Sequence, residues 1–322
     1  MISSARSEQY DPREFPPRAV TVDIAVFAVR EVEQEVPEEL WSRSPESTEP
    51  VGALRRERRG VLEVLTVRRA PEARPHPDQL ALPGSFVRDD EDLAQAAQRV
   101  LREKTGLELP IDRLTQFGAY GDPGRDPRMR VISIGFMALV PDPDLLMETH
   151  DSDDPARQWS PVDELLDVDR SPLAFDHGRI LQDADERLRT SIEETDASLD
   201  LLPEVFTIVQ LRRVFEAVWR TRLNPGNFVR SVARIDGFVE PLSTDRLLTG
   251  SQEGEVRLSS EIGSLSFMTL SAPPDPSPSD PGPVTRTRGR PAHRYVRGGV
   301  GRLHPPMRRP GTYFSRPPSR PT

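Results

Sequence analysis

The residues able to do chemistry gather in a few short stretches. The first, Gly84 to Leu107, reads G-SFVRDD-E-DLAQAAQ-R-V-L-R-E-K-T-G-L and holds Glu91, Arg99, Glu103 and Lys104. Ala94, Ala97 and Leu101 recur at i, i+3 and i+7, Asp92 is a natural N-cap and Gly106 a natural stop, so a helix is expected over Asp92–Leu107. On that helix Val100, Glu103 and Lys104 share one face. A hard dication needs several oxygen ligands, and one carboxylate beside an ammonium offers little. Lys104 can instead meet a phosphate directly as a cation. Arg68 and Arg69 at a strand end, and Arg125, Arg128 and Arg130 in a polar loop, are further phosphate-binding candidates. With Gly84, Ser85 and Lys104 they make up the expected ligand-binding set.

A second stretch, NFVRSVARIDG (Asn227–Gly237), suits a helix capped by Asn227. Asn227, Arg230, Ser231 and Arg234 fall on one face, while Phe228, Val232 and Ile235 form a separate stripe that belongs in a core. Asn pairs with adenine and Arg with guanine in a major groove, so the polar face is the expected base-reading surface. Arg286, Arg288, Arg290 and Arg294 are expected at DNA phosphates or in a minor groove. Other chemistries are thinly supported. There is no cysteine, and the five histidines (His76, His150, His177, His293, His304) show no metal-ligand spacing and read as ordinary polar residues.

The elements that must position these residues change character along the chain. Residues 1–19 read as a disordered arm. Thr21–Arg30 and Val61–Arg69 read as strands separated by an acidic insertion, followed by strands around Leu114–Tyr120 and Val131–Val140 and a helix over Leu173–Ile192. This mixture is an α/β layered domain over residues 20–195. Thr207–Leu223 is a strong helix capped by Thr207, and Asn224–Gly226 is a turn before the Asn227 helix. Short strands follow at FVEPL and Arg290–Arg297. Helix, turn, helix and two strands is the order of a winged helix-turn-helix, here over 200–297. A low-complexity insertion at about 250–286 interrupts it, and 298–322 is expected to be a basic disordered tail. Of the 43 basic residues, ten arginines follow Asp280, where no acidic residue stands, although the whole chain carries a net charge of −9. An acidic body with a basic end suits a polyanionic partner. No apolar run approaches the roughly 20 residues of a membrane helix, and no secretory leader is evident, so a cytoplasmic protein without membrane contact is expected.

The first stretch resembles the Nudix box, G-x5-E-x7-R-E-U-x-E-E-x-G-U, where U is a bulky aliphatic residue. Glu91, Arg99, Leu101, Glu103, Gly106 and Leu107 fall on its positions, while Ser85, Val100 and Lys104 depart from it. Taken with VTVDIAVFAV, LALPGSFVR, GDPGRDPRMRVISIGFMALVP, LAFDHGRIL, LPEVFTIVQLRRVFEAV, NPGNFVR and GRPAHRY, the chain resembles the Nudix-related transcriptional regulators of NAD metabolism, the NrtR-like family. The resemblance implies a Nudix αβα sandwich followed by a winged helix, an ADP-ribose-like effector, and a homodimer on a palindromic double-stranded DNA operator, usually as a repressor. It implies a sensor with no catalytic residues, in which Glu91, Arg99 and Glu103 are remnants and no cofactor is needed. The alternative is a Nudix pyrophosphohydrolase that holds Mg²⁺ or Mn²⁺ through Glu103 and recruits Glu91, Asp89 or Asp90.

Overall fold

The computed structural model describes residues 18–37, 54–141, 143, 156–166, 172–242 and 293–310. The expected N-terminal arm up to 17, the insertion at about 250–286, and Arg286, Arg288 and Arg290 lie outside the described residues.

Two long β-branched runs form the spine: β1 (Ala19–Pro37) and β2 (Leu54–Arg68), paired antiparallel. β3 (Leu80–Ala81), β4 (Gly84–Phe86), β5 (Thr115–Tyr120), β6 (Val131–Leu139) and β7 (Arg157–Pro161) complete a mixed sheet. Its order is β3-β2-β1-β6-β5, with β4 also on β1 and β7 on β2, and β1 runs parallel to β6. Strand alternation gives β1 two apolar faces. Val22, Ile24, Val26 and Ala28 pack on Ala96, Ala97, Val100 and Leu101 of α1 (Leu93–Thr105). Ala25, Phe27 and Val29 point the other way. After the short α2 (Val162–Leu165) comes α3 (His177–Glu194), which covers that second face with Ile180, Leu181, Ala184 and Leu188. This is the αβα sandwich the sequence implies.

The C-terminal half is a winged helix-turn-helix. β8 (Phe206–Thr207) leads into α4 (Ile208–Trp219), then α5 (Pro225–Val232), β9 (Val239–Pro241) and β10 (Arg294–Arg297), in sheet order β8-β10-β9. Thr207 caps α4 as expected, accepting from Gln210 N at 3.2 Å, while Gln210 Oε1 accepts from Thr207 N at 2.9 Å. The core does not stop at the domain boundary. Leu211, Val214, Phe215 and Val218 of α4 belong to the same buried cluster as Val29, Leu62, Leu188 and Ile192. A Cβ on Gly60 would lie 2.8 Å from the Arg213 carbonyl oxygen, which measures how closely α4 approaches β2. Arg213 pairs with Glu31 at 2.9 Å, and Arg220, at φ 52 in the C-cap of α4, bonds both oxygens of buried Asp185 on α3.

Several sequence expectations are corrected. The insertion after Arg30 begins as strand, because acids on β1 face arginines on β2: Glu33 opposite Arg58 and Glu35 opposite Arg56. α4 ends at Trp219, not Leu223, because Arg220 turns left-handed. α5 begins earlier and ends sooner than expected. Asn224, not Asn227, is its cap, accepting from Asn227 N at 3.0 Å, and Pro225 needs no donor at the first helical position. The basic tail from 298 is not disordered at its start, since Leu303 and Met307 are buried.

Phe215 sits at the centre of the shared cluster, touching Trp219 and Phe228 edge-on. Phe215→Ala is expected to cost about 3–5 kcal/mol. Urea unfolding followed by both circular dichroism and tryptophan fluorescence should keep a single coincident transition. An early, separate loss of the winged helix would show that the two halves are energetically independent.

Candidate functional site

The helix that carries the box is fixed in register at both ends. Asp92 Oδ1 accepts from Ala94 N and Gln95 N at 2.9 and 2.8 Å, and Gly106, at φ 73, donates to the Arg102 carbonyl. That placement buries Val100 fully and turns Arg99 inward, onto both glutamates. Arg99 Nε and Nη2 donate to Glu91 at 2.8 and 2.6 Å, Nη1 donates to Glu103 Oε2 at 2.9 Å, and Nη2 also reaches the Phe86 carbonyl. Arg88 takes the second oxygen of Glu103 at 3.1 Å. The Arg99 hydrogen bond, working against burial, holds Glu91 down to about 2, and the same guanidinium lowers Glu103. With Val100 in the core, the remaining carboxylates are committed to arginines. Among the described residues no group of three His, Asp or Glu side chains could hold a metal ion. The donor set does not fit the divalent cation of an intact box.

Beside this helix lies a cavity of about 550 Å³. It gathers seven of the eight residues expected to bind ligand: Arg68 and Arg69 from the end of β2, Gly84 and Ser85 from β4, Lys104 from the end of α1, and Arg125 and Arg128 from the loop before β6. Arg130 is not in the lining. The arginines differ in what they can offer. Arg125 is spent: it bonds Asp176 at 2.7 and 3.0 Å and Asp23 at 3.3 Å, beneath the surface. Arg128 is held by Asp126 through two bonds of 3.0 and 2.7 Å. Arg69 bonds only carbonyls, those of His76 and Pro75, among its recorded hydrogen bonds. Burial and then the neighbouring Arg128 lower its pKa. Its guanidinium lies 4.8 Å from the Phe175 ring centre, with that of Arg128 at 5.5 Å. Lys104 stands exposed at the rim.

The floor carries residues that sequence reading passed over. Asp23 interrupts the apolar β1 run, and its carboxylate accepts from the Ser133 hydroxyl and from Arg125. A Cβ on Gly84 would fall 2.1 Å from Asp23 Oδ1, so only glycine lets β4 pass there. His177 is fully buried, which lowers its pKa. Its Nδ1 accepts from Leu82 N at 2.9 Å, so the neutral ring carries its proton on Nε2, 3.4 Å from Asp23. A lone carboxylate in a β-branched strand was the available signal for this cluster. For Phe175, held at φ 55, the sequence held none.

On the winged helix, Asn227 and Arg230 are exposed and hydrogen-bonded to each other, Ser231 is half-buried, and Arg234 is exposed in the turn after α5. Phe228, Val232 and Ile235 are buried, as their spacing implies. Arg294 is exposed at the start of β10.

A Nudix domain family model matches residues 46–184, and the NrtR DNA-binding winged helix domain matches 198–250. The chain is a Nudix domain joined to an NrtR-type winged-helix domain. It is 27% identical over 241 residues to the ADPR responsive transcriptional repressor NtrR of Acinetobacter baylyi, covering 74% of this chain and 81% of that one. It is 38% identical over 104 residues to the ADP-ribose pyrophosphatase of Methanocaldococcus jannaschii, covering 32% of this chain and 55% of that one. The crystal structure of Shewanella oneidensis NrtR complexed with a 27mer DNA shares the fold, with a TM-score of 0.54 and 23% identity, over 86% of this chain and 93% of that one.

The Glu91–Arg99 pair gives a pH signature. Because Glu91 is depressed from 4.5 to about 2, its stabilisation is complete above pH 4.5 and is lost as pH falls toward 2. Glu91→Gln should therefore be less stable than the parent by about 2 kcal/mol at neutral pH, and the gap should close in acid. Urea midpoints from pH 2 to 7 check this; a gap independent of pH would contradict the pairing.

Proposed function

We propose that this chain is a ligand-responsive DNA-binding transcriptional regulator of NAD metabolism genes, acting in the cytoplasm as a repressor. It senses an ADP-ribose-like nucleotide in the Nudix cavity. The observation that carries the reading is the arrangement at the box. Both box glutamates are neutralised by arginine, while Arg69, Lys104 and Arg128 surround an open cavity that shares its core with a DNA-binding domain. Such a cavity binds a diphosphate through cations and not through a metal. Arg69, Lys104 and Arg128 are the phosphate partners, and Phe175 supplies an apolar face for a base or sugar. The likeness to a repressor named for its response to ADPR supports the same effector.

On the DNA side, Asn227, Arg230, Ser231 and Arg234 read base edges in the major groove. Arg294 contacts phosphate beside them. A homodimer would present two such faces to half-sites about one helical turn, or a multiple of it, apart. The effector acts by favouring one dimer geometry over another, so its effect on DNA affinity equals its preference between the two.

The second reading, a pyrophosphohydrolase that holds Mg²⁺ or Mn²⁺ through Glu103, rests on the similarity to an ADP-ribose pyrophosphatase. Three measurements separate the readings. A mobility shift with DNA upstream of NAD-synthesis genes should be specific and should change when ADP-ribose is added. Arg69→Ala should weaken ADP-ribose binding in calorimetry by roughly tenfold, with the shift of free DNA unchanged. Turnover of ADP-ribose with Mg²⁺ or Mn²⁺ should stay at background; a rate that vanishes in Glu103→Gln would establish the enzyme instead.

A further inference from the structure

Beyond β10 the chain does not leave the molecule. Residues 298–310 run back as a strap: its start is held by the Gly237 and Phe238 carbonyls of the winged helix, and its later part by α3 and the residues that follow it. The backbone N–H groups of Leu303 and Met307 donate to the carbonyls of Glu194 and Glu193 at 2.8 and 2.9 Å, and both side chains are buried. Arg309 bonds Glu193 Oε1 at 2.8 Å and Glu186 Oε1 at 3.1 Å. All three glutamates lie on α3.

Between these anchors Arg308 is exposed. With Asn227, Ser231, Arg234 and Arg222 it lines a groove of about 560 Å³ whose inner wall is apolar. Among the described residues no acidic side chain lines that groove, although the chain as a whole is acidic. Arg222 is balanced by Glu57 at 2.9 Å. Among the described residues neither Arg308 nor Arg234 has an ion-pair partner. Arg308 on the strap therefore sets a cation in a groove that borders the polar face of α5, suited to an anion of the backbone class: phosphate contacts of this kind fix register while base contacts specify.

We propose that the strap is a third DNA-contacting element, in which Arg308 holds a backbone phosphate of the duplex whose base edges Arg234 and α5 read. This rests on the regulator reading. It goes further in assigning a binding role to a segment beyond the matched winged-helix residues, 198–250. It also places that contact on α3, an 18-residue helix about 27 Å long whose first turn carries His177 of the nucleotide cavity.

The test is a salt titration of duplex affinity with the full chain. In Arg308→Ala the slope of log affinity against log salt should be shallower by about 0.9 per engaged protomer, and affinity at moderate salt roughly five- to tenfold weaker on specific and nonspecific DNA alike. Arg102→Ala, which removes an exposed charge from α1, should leave both unchanged. Arg309→Ala should weaken the duplex as well, while ADP-ribose binding holds. A wild-type slope in Arg308→Ala overturns the proposal and leaves the regulator standing. An equal loss in Arg102→Ala overturns it as bulk charge. If the wild-type chain binds no duplex at all, both readings fall.

Discussion

The arrangement turns on one buried guanidinium. Arg99 sits against the sheet where water cannot solvate its charge, so it must be met by carboxylates or carbonyls from the protein itself. Glu91, Glu103 and the Phe86 carbonyl meet that need, and leaving such a charge without one partner typically costs about 3–5 kcal/mol. A box with three further acids could satisfy an arginine and a metal together. This chain has Val100 and Lys104 in two of those places, so the arginine takes what remains. The cavity next door is then left cationic, with Lys104 at its rim and Arg69 leaning on Phe175.

The second constraint is the shared core. A sensor that moves a DNA-binding face needs a rigid connection, and here α4 packs on β2 and α3 within one apolar cluster. Gly60 permits the close approach, and Arg220 ties the C-terminus of α4 to Asp185 and Asp163 in the first domain. Burial pushes Asp185 up to about 6 against the pull of Arg220, so this joint holds a strained charge balance within the physiological range. α3 runs the length of the contact, with the nucleotide cavity at one end and the C-terminal strap at the other. α3 is thus joined to the winged helix by packed side chains.

Much of this was legible in the chain. The period-two and period-3.6 patterns place β6, α1 and α4 within a few residues and find β1 and β2 without their long paired extensions, and the capping signals at Asp92 and Thr207 are the caps observed. Seven of the eight residues expected to bind ligand converge on one cavity, because strand and helix ends of this sandwich meet the loop before β6 there. What escaped was set by tertiary partners. Nothing local says that Arg125 is spent on Asp176 while Arg69 bonds only carbonyls among its recorded hydrogen bonds, since residue type does not distinguish one arginine from another. His177 looks like any histidine until Leu82 N–H and Asp23 are placed around it. The start of α5 was misread because Asn224 and Asn227 are equally good caps by type; the proline at 225 decides between them. The strap escaped because proline- and arginine-rich sequence resembles an unstructured tail, and its two buried side chains are too few to form a period.

Lys104 is the only lysine in the sequence, and it stands at the rim of the cavity. Every other side-chain cation is an arginine or a histidine, so acyl donors that react with lysine amines have a single side-chain address on this protein. A fluorophore coupled there would report directly on cavity occupancy. Acetylation there would remove one of the cavity's positive charges.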